Sequence, residues 1–453
     1  MILDTAMPDW KPQRFATRLI PNALAALPDD PYPVALEPVL SADSFAAARA
    51  EIAGWPGYAP TMLHDLAGLA AAIGVGAVWY KDEGDRFGLG SFKALGGAYA
   101  VYRWLAERIA EKTGQRPTSA DLLAGKHRDI AKGFTVATAT DGNHGRSVAW
   151  GASLFGCRCI VYIHATVSEG RKAAIEQYGA EVRRIDGDYD DSVHLCAEEA
   201  AKNGWQVISD TSYDGYNEIP KLVMQGYGVM VDEALDTLAR RGTGAPTHLF
   251  IQAGVGGLPA AVIARLWQRL EEARPYVVIV EPDVADCVYQ TALAGKLAKA
   301  SGNLDTLMAG LAAGEVSPLA WAVMKPGAHA FMTLPDTAAV HAMRALAAGV
   351  GGDRPVVGGE AGVGGLAGLL ASTADPVLRE ALDLRADSRI LIFGSEGDTD
   401  PVLYEKLVGR SGAAVRAAVQ ADNRASTEAG FRKSKSPGAL LEDDSNDDAR
   451  AER

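Results

Sequence analysis

The stretch that decides the fold is GFTVATATDGNHGRSVAWGASLFGCRCIVYI, which runs from Gly133 to Ile163. Residues 133–140 are rich in β-branched side chains and predict a strand, and 143–155 predicts a helix. A second, apolar strand is predicted over 157–163. A strand, a crossover helix and a further strand are typical of a parallel sheet, so this stretch predicts an α/β fold.

The same alternation continues beyond this unit. Strands are predicted over 180–186 and 205–209, and helices over 168–179 and 189–204, which would complete one open parallel sheet. A second sheet is predicted from three further strands and a long helix, at 247–254, 275–282, 388–395 and 258–273.

Two open parallel-sheet domains are therefore expected. We assign residues 1–99 and 215–410 to a large domain and residues 100–214 to a small one. From 411 to 453 the chain loses hydrophobic periodicity and ends in LEDDSNDDARAER, so a disordered tail is expected there.

Composition excludes several classes of function. The 453 residues carry a net charge of −13, which argues against nucleic-acid and anionic-membrane partners. The N-terminal MILDTAMPDWKPQRF lacks the basic patch and apolar run of a signal peptide. Four cysteines in so long a chain fit a reducing compartment, so we expect a cytoplasmic protein.

The first informative turn is GLGSFKALGGA, residues 88–98. Ser91 can cap the following helix, which places Lys93 in its first turn. There the helix dipole and burial would both lower the pKa of the amine, as a lysine that forms a Schiff base requires. The alternative is an ordinary lysine that extends from a helix start to solvent.

The second turn is FIQAGVGGLPAAVIA, in which a strand runs into Gly254, Gly256 and Gly257 before a helix. Backbone N–H groups at such a turn can face a phosphate. A dinucleotide fingerprint needs a third glycine where this chain has Pro259, so a single phosphate fits better. A simple packing turn remains the alternative.

The third turn, ATATDGNHGRSVAW, places Asp141 and Asn143 before a helix, where backbone amides can hold a substrate carboxylate. Asp141 could equally cap that helix, and His144 is more typical of a loop or cap residue than of a general base.

The fourth turn, LIFGSEGDTDP, follows a strand that ends at Gly394 and carries Ser395 and Thr399 among three carboxylates. Carboxylates could bind a metal, but no histidine or cysteine lies nearby in the sequence, so no metal site is predicted. A plain acidic turn is the alternative.

Together and in this order, the four turns resemble the pyridoxal-phosphate enzymes of the tryptophan-synthase-β or threonine-dehydratase type. The resemblance covers roughly residues 50–405. It implies fold type II, with pyridoxal 5′-phosphate bound in the cleft between the two domains and mainly by the large one.

A finer resemblance is to the diaminopropionate ammonia-lyase family. The segments that carry it are KDEGDRFGLGSFKALGGAYA, TATDGNHGRSVAWGA, SDTSYDGYNEIPKLVMQGYGVMVDEA, VEPDVADCVYQ, MAGLAAGEVSPLAW and GSEGDTDP. Ordinary serine and threonine dehydratases usually carry serine at the position of Asp141. The resemblance implies elimination of ammonia from 2,3-diaminopropionate to give pyruvate, and it implies a homodimer.

The same resemblance implies roles for single residues. Lys93 would bind the cofactor covalently, Asn143 its ring hydroxyl, and Ser395, or failing it Thr399, its pyridine nitrogen. The phosphate would lie on Gly254, Val255, Gly256, Gly257 and Leu258. Asp141 and Asp210 would be the bases for the D and L enantiomers. Without the resemblance, Asp210 is better interpreted as a turn residue after the strand predicted over 205–209.

Two alternatives stay open from the sequence. A dehydratase or other β-lyase of serine, threonine or hydroxyaspartate would share every cofactor residue. A non-catalytic nucleotide-binding module would need an intact glycine fingerprint, which Pro259 interrupts.

Overall fold

The structure is a computed structural model that describes residues 10–140, 142–187 and 189–419. Its strands are β1 Arg18–Pro21, β2 Leu63–Asp65, β3 Ala77–Asp82, β4 Thr135–Ala139, β5 Arg158–Ile163, β6 Glu181–Arg184, β7 Gln206–Val207, β8 His248–Gln252, β9 Tyr276–Pro282, β10 Ala330–Leu334 and β11 Arg389–Gly394.

Its helices are α1 Ala42–Ile52, α2 Ala67–Ile73, α3 Lys93–Thr113, α4 Ser119–Leu123, α5 Arg128–Ala131, α6 Asn143–Phe155, α7 Glu169–Glu176, α8 Tyr189–Asn203, α9 Glu218–Arg241, α10 Gly257–Leu270, α11 Cys287–Ala294, α12 Pro318–Gly327, α13 Asp336–Ala348, α14 Gly364–Ala374, α15 Pro376–Ala381 and α16 Pro401–Val408. None of the described helices is long and apolar enough to cross a membrane.

The smaller sheet has the strand order β6-β5-β4-β7, and all its strands run parallel. Its strands and the connecting helices α6, α7 and α8 confirm the elements predicted over 133–209. Helix α6 packs on α3, and α3 in turn packs on α9, so this sheet is joined to the rest of the chain through helices.

The larger sheet has the order β1-β10-β9-β8-β11-β3-β2. Strands β8, β9 and β11 confirm the predicted second series. The strands from β10 to β3 are parallel, and the antiparallel strands β1 and β2, which were not predicted, close the two edges.

The centre of the larger sheet positions the site. Every residue of β8 is buried, and β11 is buried from Ile390 to Gly394, as expected for a parallel sheet covered on both faces. Phe250 of β8 lies opposite Ile392 of β11, so the carboxyl ends of these two strands, at Gln252 and Gly394, lie side by side.

The predicted disordered tail is wrong at its beginning. Residues 412–419 are helical, and Val415 and Val419 are buried. The Arg416 guanidinium forms an ion pair with Asp398, which ties this helix to the turn after β11. The rest of the predicted tail, 420–453, lies outside the described residues. The division at residue 99 stays a prediction; it falls inside α3.

Candidate active site

A cavity of about 1110 Å³ lies beyond the carboxyl ends of β4, β7, β8 and β11, where open parallel sheets bind ligands. The predicted site residues that line it are Lys93, Asn143, Asp210, Gly254, Val255, Gly256, Gly257, Leu258 and Ser395. The fallback residue Thr399 is not among the lining residues. Asp141 lies outside the described residues, so its role stays a prediction.

Lys93 begins α3, as predicted, but the local reason differs. Phe92 precedes the helix and no side chain caps it; Ser91 instead forms an isolated antiparallel bridge with Glu396. The predicted cap by Ser91 is therefore wrong. The bridge holds the turn before Lys93 against the turn after β11, which brings two of the predicted site segments together.

The Lys93 amine forms an ion pair with the Asp210 carboxylate, which comes from the loop between β7 and α9. Burial lowers the pKa of Lys93, but Asp210 raises it more, and the pKa lies above its usual range. The predicted depression of this pKa is therefore wrong for the arrangement described here. The contact with the Asp210 carboxylate, which lies 117 positions from Lys93 in the sequence, was not predicted.

The same pair keeps Asp210 ionised. Burial raises the pKa of this carboxyl, but the Lys93 ammonium and then His144 lower it, and the pKa lies well below its usual range. Nδ1 of His144 lies 3.9 Å from the Asp210 carboxylate, and Nε2 lies 2.9 Å from the Ile208 carbonyl oxygen. His144 is buried in this site, although the sequence favoured a loop or cap role.

The glycine turn after β8 leads into α10, whose first turn has no side-chain cap. Free N–H groups at the start of a 14-residue helix suit an anion. Gly256 has φ +97°, and a side chain there would meet Ala320 at 3.2 Å and overlap Met324. A Cβ at Gly257 would meet only the Asp210 carbonyl and Met224, both at an ordinary 3.7 Å.

Ser395 directly follows β11 and is buried, with its hydroxyl 2.7 Å from Nε2 of Gln252. Asn143 begins α6 and donates through Nδ2 to Glu396 at 2.6 Å. The N–H groups of Gly142 and Gly145 are taken by the Thr140 hydroxyl, at 3.0 and 3.1 Å. The Thr140 hydroxyl thus accepts hydrogen bonds at the start of α6.

Two buried carboxyls, Glu396 beside Asn143 and Glu360 near Glu396, have pKa values above their usual range. Burial and then the proximity of Glu396 raise the pKa of Glu360 to about 8. Burial likewise raises the pKa of Glu396, whose Oε1 accepts the Ala361 N–H at 3.0 Å. The acidic turn of the sequence therefore supplies a hydrogen-bonding wall of the cavity.

These residues fit pyridoxal phosphate. The uncapped start of α10 suits the phosphate of the cofactor. The Lys93 amine can react with its aldehyde, and the side chains of Ser395 and Asn143 offer polar atoms to its ring. The buried His144 lines the same cavity, and its Nδ1 has no hydrogen-bond partner among the described residues. A polar atom without a partner in a cavity of this kind is expected where a ligand binds.

Comparisons with known proteins agree with this site. The family model described as pyridoxal-phosphate dependent enzyme matches residues 55–395. The chain is 39% identical to diaminopropionate ammonia-lyase of Escherichia coli strain K12, over 78% of this chain and 88% of that relative.

Solved structures give the same answer. Holo diaminopropionate ammonia-lyase from Escherichia coli has a TM-score of 0.79 at 35% identity, covering 87% of this chain and 97% of that chain. The complex of the Escherichia coli enzyme with D-serine has the same TM-score, identity and coverage.

The fold and the site define a pyridoxal-phosphate dependent enzyme of fold type II, and pyridoxal phosphate is its cofactor. Within this class the chain belongs to the diaminopropionate ammonia-lyase family. The predicted family, fold type and cofactor are thus confirmed, and the alternative of a non-catalytic nucleotide-binding module is excluded.

The cavity residues that were not predicted include Gln252, Glu396 and Tyr227. In the sequence, Gln252 is recognisable only as a polar residue at the end of a strand before the glycine turn, which does not indicate a role in the site. Glu396 was counted as part of an acidic turn. Tyr227 lies inside α9, where its spacing carries no signal, and only the packing of α9 on α3 brings it to the cavity.

Proposed function

We propose that this enzyme eliminates ammonia from 2,3-diaminopropionate. The β-amino group leaves as ammonia, and the 2-aminoacrylate released hydrolyses to pyruvate and a second ammonia. The observation that carries the proposal is the ionised Asp210 beside Lys93 in the cavity of an ammonia-lyase family member. A carboxylate in this position suits a substrate with two ammonium groups.

Different residues of the chain bind different parts of the cofactor. Lys93 binds it covalently, Gly254, Val255, Gly256, Gly257 and Leu258 hold its phosphate, Asn143 contacts the ring hydroxyl and Ser395 the ring nitrogen. When bound, pyridoxal phosphate supplies the electron sink that stabilises negative charge at the substrate Cα. Thr399 is not used, since it does not line the cavity.

Asp210 takes the Cα proton of the L substrate and Asp141 that of the D substrate. Asp210 can take this role because it lines the cavity next to Lys93 and its carboxyl is ionised, which a base must be. Removal of a proton from opposite sides of one bound substrate requires two bases, and the two aspartates follow strands of the smaller sheet at different positions.

The chemistry of the leaving group favours an ammonia-lyase activity over a dehydratase activity. A β-ammonium group leaves as neutral ammonia without receiving a proton, whereas a β-hydroxyl leaves as water only when an acid protonates it. In this proposal Asp210 is the base at Cα, and no residue is assigned as an acid that would protonate a β-hydroxyl. Serine should therefore be the poorer substrate.

The test is product release from a panel of substrates. D- and L-diaminopropionate and D- and L-serine are scored by pyruvate, and threonine by its own keto acid. We expect the highest kcat/KM with diaminopropionate and two ammonia molecules for each pyruvate. A higher kcat/KM with serine, or a single ammonia per pyruvate from diaminopropionate, would make the dehydratase or another β-lyase the better description.

Ser395 and Thr399 form a matched pair for the cofactor assignment. Ser395→Ala should weaken retention of pyridoxal phosphate about tenfold, the scale of one hydrogen bond. Thr399→Val should leave it unchanged, because Thr399 does not line the cavity. Equal retention in both variants would remove Ser395 from the site.

We also propose the two-domain division given above, a homodimer and a cytoplasmic location. The few cysteines support the location. Light scattering should give about twice the chain mass of 47.6 kDa; a monomer would contradict the assembly.

A further inference from the structure

The amide of Gln252 is completely buried at the end of β8 and contacts four groups. Its Nε2 lies 3.1 Å from the Gly362 carbonyl oxygen, 3.0 Å from that of Phe393 and 2.7 Å from the Ser395 hydroxyl. Its Oε1 accepts the Gly365 N–H at 3.2 Å. The orientation of the amide is therefore set by four neighbours.

Only one orientation satisfies these contacts. Exchanging nitrogen and oxygen would place Oε1 against two carbonyl oxygens and the NH₂ group against the Gly365 N–H, which is also a donor. Both exchanges replace attraction by repulsion, because carbonyls only accept and N–H groups only donate. The nitrogen must consequently face Ser395.

This orientation decides the direction of the Ser395 proton. An amide nitrogen donates but does not accept, so the Ser395 hydroxyl must accept from Gln252 and cannot donate to it. Among the described residues, the Ser395 hydroxyl has no other hydrogen-bond partner. Since Ser395 lines the cavity, its proton is left for a ligand in the cavity.

We infer that Gln252 is a positioning residue that holds the Ser395 hydroxyl as a hydrogen-bond donor toward the cofactor's pyridine nitrogen. The inference rests on the proposed role of Ser395.

The surrounding chain is built to accept this side chain. A Cβ at Gly364 would lie 2.8 Å from the Gln252 Cβ, and one at Gly365 would lie 3.2 Å from its Oε1. Glycines at the start of α14 thus leave room for the amide. The contact joins residues 143 positions apart in sequence, so it depends on β8 and β11 being neighbours in the sheet.

The test compares two cofactors that differ at one atom. Full-length protein freed of cofactor is titrated with pyridoxal phosphate and with its 1-deaza analogue, in which C–H replaces the ring nitrogen. The ratio of the two dissociation constants reports the hydrogen bond to the nitrogen, and other effects on affinity cancel. Wild type, Ser395→Ala, Gln252→Met and the control Ser372→Ala in α14 are compared.

The preference of wild type for pyridoxal phosphate should fall about tenfold in Ser395→Ala, the scale of one hydrogen bond. It should fall similarly in Gln252→Met, because the Gly362 and Phe393 carbonyls then compete for the Ser395 proton. Ser372→Ala should keep the wild-type ratio. A merely structural role of Gln252 would weaken both cofactors equally and leave the ratio unchanged, which would overturn the inference.

Two further outcomes are informative. An unchanged ratio in Ser395→Ala would refute the proposed cofactor contact of Ser395 itself, and the inference with it, while the lyase activity would still be judged by the substrate panel. If Gln252→Met does not fold, Gln252→Asn, whose amide is one methylene farther from Ser395, is titrated in its place. A fall in the ratio supports the inference, and an unchanged ratio overturns it.

Discussion

A substitution at Gly257 should affect cofactor binding without affecting folding. A Cβ built there would have only two neighbours within 4 Å, both at 3.7 Å, and its φ lies outside the left-handed region. It is also the first residue of α10, where alanine is preferred over glycine by up to about 1 kcal/mol. Gly257→Ala should therefore leave unfolding unchanged or slightly improved.

The phosphate should respond in the opposite direction. A methyl group at Gly257 would stand in the cavity where a phosphate must approach the backbone N–H groups. Loss of one charge-assisted hydrogen bond is worth about 1.5–3 kcal/mol. The dissociation constant for pyridoxal phosphate should rise about ten- to hundredfold, since each 1.4 kcal/mol is tenfold.

The assay is a pair of measurements on each variant, denaturant unfolding without cofactor and equilibrium titration with pyridoxal phosphate. Gly170→Ala is the matched control, because Gly170 also lies in the first turn of a helix, is exposed and does not line the cavity. Normal cofactor affinity in Gly257→Ala would place the phosphate elsewhere.

The neighbouring Gly256 is unsuitable for the same test. Its φ of +97° and the overlap of a side chain with Met324 mean that the fold itself requires glycine there. Gly256→Val would then weaken folding as well as cofactor binding, so its effect could not be assigned to the phosphate.

The other predictions concern Lys93, the two aspartates and Glu360. Lys93→Ala should abolish both turnover and covalent attachment of the cofactor after borohydride reduction, measured by mass spectrometry; a variant with full activity would refute the assignment. Asp141→Asn should reduce turnover of the D substrate and Asp210→Asn that of the L substrate, each by about 10²–10⁴-fold in pyruvate assays; equal losses on both enantiomers would point to a shared structural role. The pKa of Glu360 is raised from 4.5 to about 8 in the folded protein, so its contribution to stability is complete below pH 4.5 and is lost as the pH rises through about 8. Glu360→Gln should therefore flatten the fall in the free energy of unfolding between pH 5 and 8; an unchanged slope would contradict the raised pKa.

Local patterning was sufficient for much of the architecture. The strands and helices over 133–209 form a parallel sheet as predicted, because each apolar run is bounded by turn residues and each helix has a clear apolar face. Two neighbouring strands of the larger sheet, β1 and β10, were harder to predict. Strand β1 has no buried residue, and β10 is a short apolar run that periodicity does not distinguish from a buried helix.

The order of the four turns was likewise enough to predict the family, the cofactor and nine of the residues that line the cavity. It was not enough for their electrostatics. The pKa of Lys93 was predicted from its helix and its burial, which are local properties, and both act to lower it. The Asp210 carboxylate instead raises the pKa of Lys93 above its usual range. This contact exists only because separate parts of the chain meet in the folded molecule.

The amino-acid sequence by itself therefore determined which turns contain the functional residues. Glycine, lysine and serine at strand ends can be recognised there because their roles depend on their own backbone and side-chain properties. What only the tertiary structure decided was how those turns face one another. The pairing of β8 with β11 sets Gln252 against Ser395, and the Ser91–Glu396 bridge holds the Lys93 turn against the turn after β11. These contacts depend on strand order and register, which come from packing over the whole sheet and leave no local trace in the sequence.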